Sequence, residues 1–122
     1  MILVGSRVYI CDNSGAFGGR CVGLFKRVRY ASVGSIIRVS VGYRRASKRR
    51  SLVSDCLQRA LVIRQKSVYK RGKIGVRVFG SLNAVCILNS FNLPLANRIR
   101  GYSFYEIRDI CLKVLSLVSI RL

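Results

Sequence analysis

Short runs of alternating apolar and polar residues recur along the chain, separated by Gly, Ser and Asn. Successive side chains of a strand point to opposite faces, so such runs mark half-buried strands. From Ser35 to Val41 the alternation is cleanest: Ile37, Val39 and Val41 fall on one side, Ile36, Arg38 and Ser40 on the other. That segment is predicted as a strand with a basic outer side. The same reading predicts strands over Arg7–Cys11, Arg20–Phe25, Arg59–Gln65, Gly75–Phe79, Ala84–Asn89 and Lys113–Val118. So many short strands in 122 residues point to a mainly β fold, a single domain over residues 1–122, closed into a small barrel that leaves no long unpaired edge. One segment has a different period. Between Ser103 and Leu112, Phe104, Ile107 and Cys111 are spaced for one face of a short helix, with Ser103 placed to cap it.

Charge is the strongest feature after the pattern. Lys and Arg number 23 against four acids, a formal charge of +19 with a pI near 11.1, and a free monomer of that charge repels itself. A polyanionic partner follows, either nucleic acid or an anionic membrane surface. At 51% hydrophobic residues the chain is too apolar for a disordered basic tail. Charges interrupt every apolar run well before the roughly 18 residues a membrane span needs. The helix candidate is short and carries two acids, unlike an amphipathic membrane-surface helix. The N-terminus lacks the charged start, apolar middle and cleavage site of a secretory signal. Five cysteines stand at wide spacings with no Cys-x-x-Cys pair and no His in the chain, which favours buried free thiols over a metal site or disulfides.

The basic residues gather in two blocks. Tyr43-Arg-Arg-Ala-Ser-Lys-Arg-Arg50 reads as a loop, and Lys66, Lys70, Arg71 and Lys73, with Tyr69 interleaved and Gly72 at the tip, read as an exposed hairpin. Arg outnumbers Lys, which suits bidentate phosphate contacts and stacking on bases. Catalysis has little to work with. The acids are Asp12, Asp55, Glu106 and Asp109, and Glu106 with Asp109 reads as a surface pair around Arg108 rather than an acid–base couple. Gly15, Gly18 and Gly19 lack the Lys and Ser/Thr of a phosphate loop and read as a turn. No enzyme, cofactor or small-molecule substrate is expected.

Several segments together carry a resemblance: Asp12-Asn-Ser-Gly-Ala16, Arg29-Tyr-Ala-Ser-Val-Gly34 before an Ile-Ile strand, Ala60-Leu-Val-Ile-Arg64, Asn83-Ala-Val-Cys-Ile-Leu-Asn89, Arg98-Ile-Arg-Gly101 and the ending Lys113-Val-Leu-Ser-Leu117. In this order, from Met1 to the C-terminus, they resemble the universal large-subunit ribosomal protein L-fourteen family. The resemblance implies a small five-stranded β-barrel with a projecting β-hairpin and a short helical C-terminal region. It also implies a structural constituent of the large ribosomal subunit that binds large-subunit rRNA and contributes to an intersubunit bridge with small-subunit rRNA. Neighbours of the L-nineteen and L-three families and a ribosome-silencing factor are the implied protein partners; no membrane is. The sequence departs from the family at the turn Leu24-Phe-Lys-Arg-Val-Arg29, which lacks the family's Gly-Gly. It departs again at Ser35 in place of Asp, at Lys70-Arg-Gly-Lys73 in place of a Pro-Asp-Gly tip, and at Arg100 in place of Phe.

Read together, charge and resemblance nominate Arg20, Lys26, Arg27, Arg29, Arg44, Arg45, Lys48, Arg49, Arg50, Arg64, Lys66, Arg71, Lys73 and Arg77 as RNA-binding, with Asn97, Arg98, Arg100 and Lys113 on the face toward the small subunit. Asp12, Asn13, Ser14 and Gly15 are expected to shape a turn rather than touch RNA. The competing class is a free barrel-type nucleic-acid-binding module outside the ribosome, which would want several exposed aromatics on one sheet face. The surface divergence, with a family-like segment that begins at Met1, gives the expectation of a mitochondrial, organelle-encoded protein, with another organelle or a bacterial cytoplasm as alternatives.

Overall fold

The computed structural model describes residues 1–44, 57–66, 68–71 and 76–122, with the main chain alone at 43–44, 68–71 and 76–79. Five strands close into a barrel: β1 (Arg7–Ile10), β2 (Ala16–Leu24), β3 (Ile36–Arg44), β4 (Leu57–Arg64) and, after a separate hairpin of β5 (Val68–Arg71) and β6 (Val76–Phe79), β7 (Ala84–Leu88). Neighbouring strands run antiparallel except at the seam, where β1 lies parallel to β7 with Tyr9 opposite Ala84 and Ile10 opposite Val85. Close approach at one point of the β2–β3 pair requires glycine, since a Cβ on Gly19 would meet the Ser40 carbonyl oxygen at 2.2 Å.

The alternation in β3 does what it predicts. Ile37, Val39 and Val41 are buried in the barrel core with Val8, Ile10, Cys21, Ala60, Val62, Val85 and Ile87, while Arg38 is exposed. β4 and β7 differ, because both of their faces are covered. Ala60, Val62, Val85 and Ile87 belong to the barrel core, whereas Leu61, Ile63, Ala84, Cys86 and Leu88 belong to a second cluster with Ile99, Ile107, Cys111, Val114 and Val118 from the C-terminal region. Hence the unbroken apolar runs Leu61–Ile63 and Ala84–Leu88.

The C-terminal region is a small unit laid on that wall. It consists of β8 (Ile99–Ser103), a 3-10 helix (Tyr105–Asp109), α1 (Leu112–Leu117) and β9 (Val118–Arg121), with β8 and β9 parallel. Three expectations are corrected here. The capping position of the helical segment is Phe104, not Ser103, and it has no side-chain cap; the buried Ser103 hydroxyl instead donates to the Phe104 carbonyl at 3.2 Å. Residues 113–117, predicted as part of a strand, belong to the helix α1, and Lys113 lies in its first turn. Arg100, expected from the sequence to follow Pro94 in an irregular stretch together with Arg98, lies in β8, while Arg98 stands in irregular main chain just before it. The helix wins at 112–117 because Cys111, Val114, Leu115 and Val118 are all buried, the i, i+3, i+4, i+7 spacing of one helical face.

The described cysteines Cys11, Cys21, Cys86 and Cys111 are buried and unpaired. Cys56 lies outside the described residues, as does the hairpin tip at Gly72.

Candidate nucleic-acid interface

The basic side chains ride on the outside of this framework. Arg20 is exposed on β2, and Lys26, Arg27 and Arg29 are exposed in the connection from β2 to β3. That connection is fixed at both ends. Ala31 exchanges main-chain hydrogen bonds with Ile2 at 2.8 and 2.9 Å, and the Gly34 N–H donates to the Val62 carbonyl at 2.8 Å. Gly34 and Gly101, at φ of +86° and +87°, sit where a side chain would be strained.

Lys66 is exposed at the root of the hairpin, and its N–H donates to Asn83 Oδ1 at 2.7 Å. Arg44, Arg71 and Arg77 lie on described main chain at the ends and middle of β3, β5 and β6. The hairpin predicted from the Lys66–Lys73 cluster has its two strands paired antiparallel, Tyr69 opposite Val78 and Arg71 opposite Val76. Arg45, Lys48, Arg49, Arg50 and Lys73 lie outside the described residues.

Arg64 is placed differently from its neighbours. It is half-buried, and its Nη1 donates to the carbonyls of Arg100 and Tyr102 at 3.1 and 3.0 Å. Its guanidinium carbon lies 5.1 Å from the centre of the Tyr102 ring, within cation–π range. Arg64 therefore ties the barrel wall to β8, and the Cβ that Gly101 lacks would fall 2.1 Å from its Nη1.

The Asp12–Gly15 segment is a turn, as its residues predict, and it also positions the second group of candidates. Asp12 is buried; its Oδ1 accepts from the Ser14 N–H at 3.1 Å and from the Ser14 hydroxyl, and its Oδ2 accepts from the Ile87 N–H at 2.8 Å. Asn13 reaches the other way. Its Nδ2 donates to Asn97 Oδ1 at 2.6 Å, and its Oδ1 accepts from the main-chain N–H groups of Asn97 and Arg98, both at 3.2 Å. Arg98 and Arg100 are thus held as exposed side chains on a pinned main chain, and Lys113 is exposed on α1, which packs against β8.

Two further cations belong to the surface and were not among the sequence candidates. Arg38 and Arg59 are exposed, directly opposite each other in the β3–β4 register, and both lie over the Phe25 ring. The outward face of β3 signalled Arg38, but only strand pairing brings Arg59 beside it. The surface as a whole can neutralise phosphates from several directions, and its arginines present planar donors.

A family model described as Ribosomal protein L14p/L23e matches residues 1–122, the whole chain.

Proposed function

The chain belongs to the ribosomal protein L14p/L23e family, is a non-enzymatic structural constituent of the large ribosomal subunit that binds ribosomal RNA, and we propose that it also bridges to small-subunit rRNA. Exposed Arg98 and Arg100, on a main chain that Asn13 pins from across the barrel seam, are the observation that carries this reading. A bridge must hold its cations at a fixed height and direction, and two side-chain-to-main-chain bonds from one amide supply that rigidity. Asn97 lends its side chain to the same contact, and Lys113 adds a charge from the helix that packs on β8.

The RNA-anchoring surface is then Arg20, Lys26, Arg27 and Arg29 with Lys66 and the hairpin, to which the sequence adds Arg44, Arg45, Lys48, Arg49, Arg50, Arg71, Lys73 and Arg77. Arg64 acts there through its hold on β8. Proteins of the L-nineteen and L-three families and a ribosome-silencing factor are the proposed protein partners, by resemblance to the family. The mitochondrion is the proposed compartment, supported by the departure of the hairpin tip and of Arg100 from the family pattern and by the high cysteine content.

Charge reversal of the bridge candidates tests the reading. Arg98→Glu with Lys113→Glu should leave the chain in the large subunit, because both side chains are exposed, and should weaken joining of the two subunits. On gradients of purified subunits across a magnesium titration, the expected result is a higher magnesium requirement for whole ribosomes. Unchanged joining removes these residues from a bridge, and loss of incorporation moves them to the anchoring surface. Recovery of the unaltered chain only as a free small protein would favour the module outside the ribosome.

A further inference from the structure

Phe25 stands one residue past the end of β2 and is 43% exposed. The guanidinium carbons of Arg38 and Arg59 lie 5.2 and 5.0 Å from its ring centre. Because Arg38 and Arg59 are direct partners across β3 and β4, the two like charges oppose each other on a strand pair, which is unfavourable by itself. The aromatic face offsets part of that repulsion, and Asn92 Oδ1 accepts from Arg59 Nη1 at 3.3 Å. Two planar cations are therefore gathered over one ring on an outward face, in a chain whose four acids cannot balance its 23 cations. An anion between them would relieve the repulsion that the register imposes.

Two open clefts border the ring. One, of about 330 Å³, runs between Phe25, Arg38 and Leu57. The other, of about 270 Å³, runs between Phe25, Arg59, Asn92 and the apolar side chains of Ile36 and Ile110. We propose that Phe25, Arg38 and Arg59 bind one unpaired nucleotide of an RNA strand, its phosphodiester held by the two guanidinium groups and its base laid against Phe25 in the cleft toward Ile110. The inference rests on the RNA-binding reading above and adds to it a site where the β3–β4 face of the barrel wall meets the start of the β2–β3 connection, beside Lys26.

The chemistry favours an unpaired nucleotide over a duplex. Guanidinium groups match phosphate oxygens with paired donors, and either strand form could supply that anion. Only an unpaired base can turn its flat face to an aromatic ring, which is how proteins hold single-stranded RNA. The second cleft sets the apolar side chains of Ile36 and Ile110 beside the polar ones of Lys26, Ser35 and Asn92, so it offers a base both a flat apolar surface and hydrogen-bonding groups.

The test uses the full chain and a short, end-labelled single-stranded RNA carrying 4-thiouridine, with a duplex of equal length beside it. Phe25→Leu keeps the apolar bulk and should weaken single-strand binding about tenfold, while leaving duplex binding unchanged. Arg38→Gln with Arg59→Gln should weaken it at least as much and lower the salt dependence of binding. Near-ultraviolet irradiation should crosslink the thiouridine to the peptide containing Phe25 in the unaltered chain and not in Phe25→Leu. Circular dichroism should show both variants folded, since all three side chains are exposed. Equal single-strand affinity in Phe25→Leu and the unaltered chain overturns the site while leaving RNA binding standing. Equal losses for single strand and duplex overturn the stacked base. Failure of the unaltered chain to bind either RNA overturns the RNA-binding reading and this site together.

Discussion

Asp12 carries more of the fold than any surface charge. β1 ends at Ile10, and two residues later the Asp12 carboxylate takes over as acceptor for the Ile87 N–H of β7 at 2.8 Å, while its other oxygen holds the Ser14 turn. Asp12→Ala leaves buried donors without partners, and an unsatisfied buried donor costs about 1–3 kcal/mol. The urea midpoint should therefore fall by an equivalent of about 2–4 kcal/mol, with an unchanged denaturant slope. A midpoint within error of the unaltered chain would show that the seam closes without the carboxylate. Asp12→Asn, which keeps one acceptor, should lose less. The thiol next to it gives a pH prediction. Burial pushes the Cys11 thiol up to about 12, with the Arg64 charge lowering it and the Asp12 charge raising it by smaller amounts. Burial also raises Cys86. A raised folded value means that the protonated thiol is favoured by folding. Its contribution is fully present below the ordinary value of 9.0 and is lost as pH climbs toward 12. Denaturation midpoints should decline over that window, and the decline should be shallower in Cys11→Ala; parallel curves for the two proteins would exclude the thiol as its source.

At the scale of elements, Gly101 and Arg64 decide how firmly the C-terminal unit sits on the barrel. Gly101 has φ +87° and leaves the space that the Arg64 guanidinium fills. Gly101→Ala adds backbone strain and displaces that guanidinium from the Arg100 and Tyr102 carbonyls, so β8 should loosen by about 1–3 kcal/mol. Hydrogen exchange locates the effect: the Arg100 amide, which donates to the Cys11 carbonyl at 2.8 Å, should exchange faster while amides of β3 keep their protection. Uniform acceleration across both would point to global unfolding instead. The same elements show what the sequence makes legible. β3 could be read because one face meets the core and the other water, so each residue type reports its side. α1 could not, because Val114 and Val118, four apart, satisfy alternation as well as helical spacing, and Leu115 with Leu117 satisfies alternation; the buried Cys111, three before Val114, is what favours the helix. The β5–β6 hairpin was legible from its cluster of cations around a glycine. The pairing of Arg38 with Arg59 was not, since it depends on which residues of β3 and β4 face each other, and register is set by the whole barrel.

For the molecule as a whole, the barrel supplies a rigid support and the charge supplies the binding energy, and these two contributions respond to salt in opposite directions. A free chain of +19 repels itself, so adding salt should screen that repulsion and raise its melting temperature. Binding to a large-subunit RNA fragment should weaken as the same salt is added, because each neutralised phosphate releases counterions that a salt solution makes less favourable to release. With many cations in contact, the loss should reach about a thousandfold or more between roughly 50 and 200 mM salt. Thermal melts and binding titrations run across one salt series measure both slopes on the same preparation. If melting temperature is flat in salt, the positive charges are compensated within the fold and are not held for an external polyanion. If affinity is flat in salt, phosphate contacts are few, and recognition would have to rest on stacking at exposed aromatic rings and on hydrogen bonds to bases. Opposite slopes are the result expected of a chain that carries excess charge on a barrel wall and completes its electrostatics only on RNA.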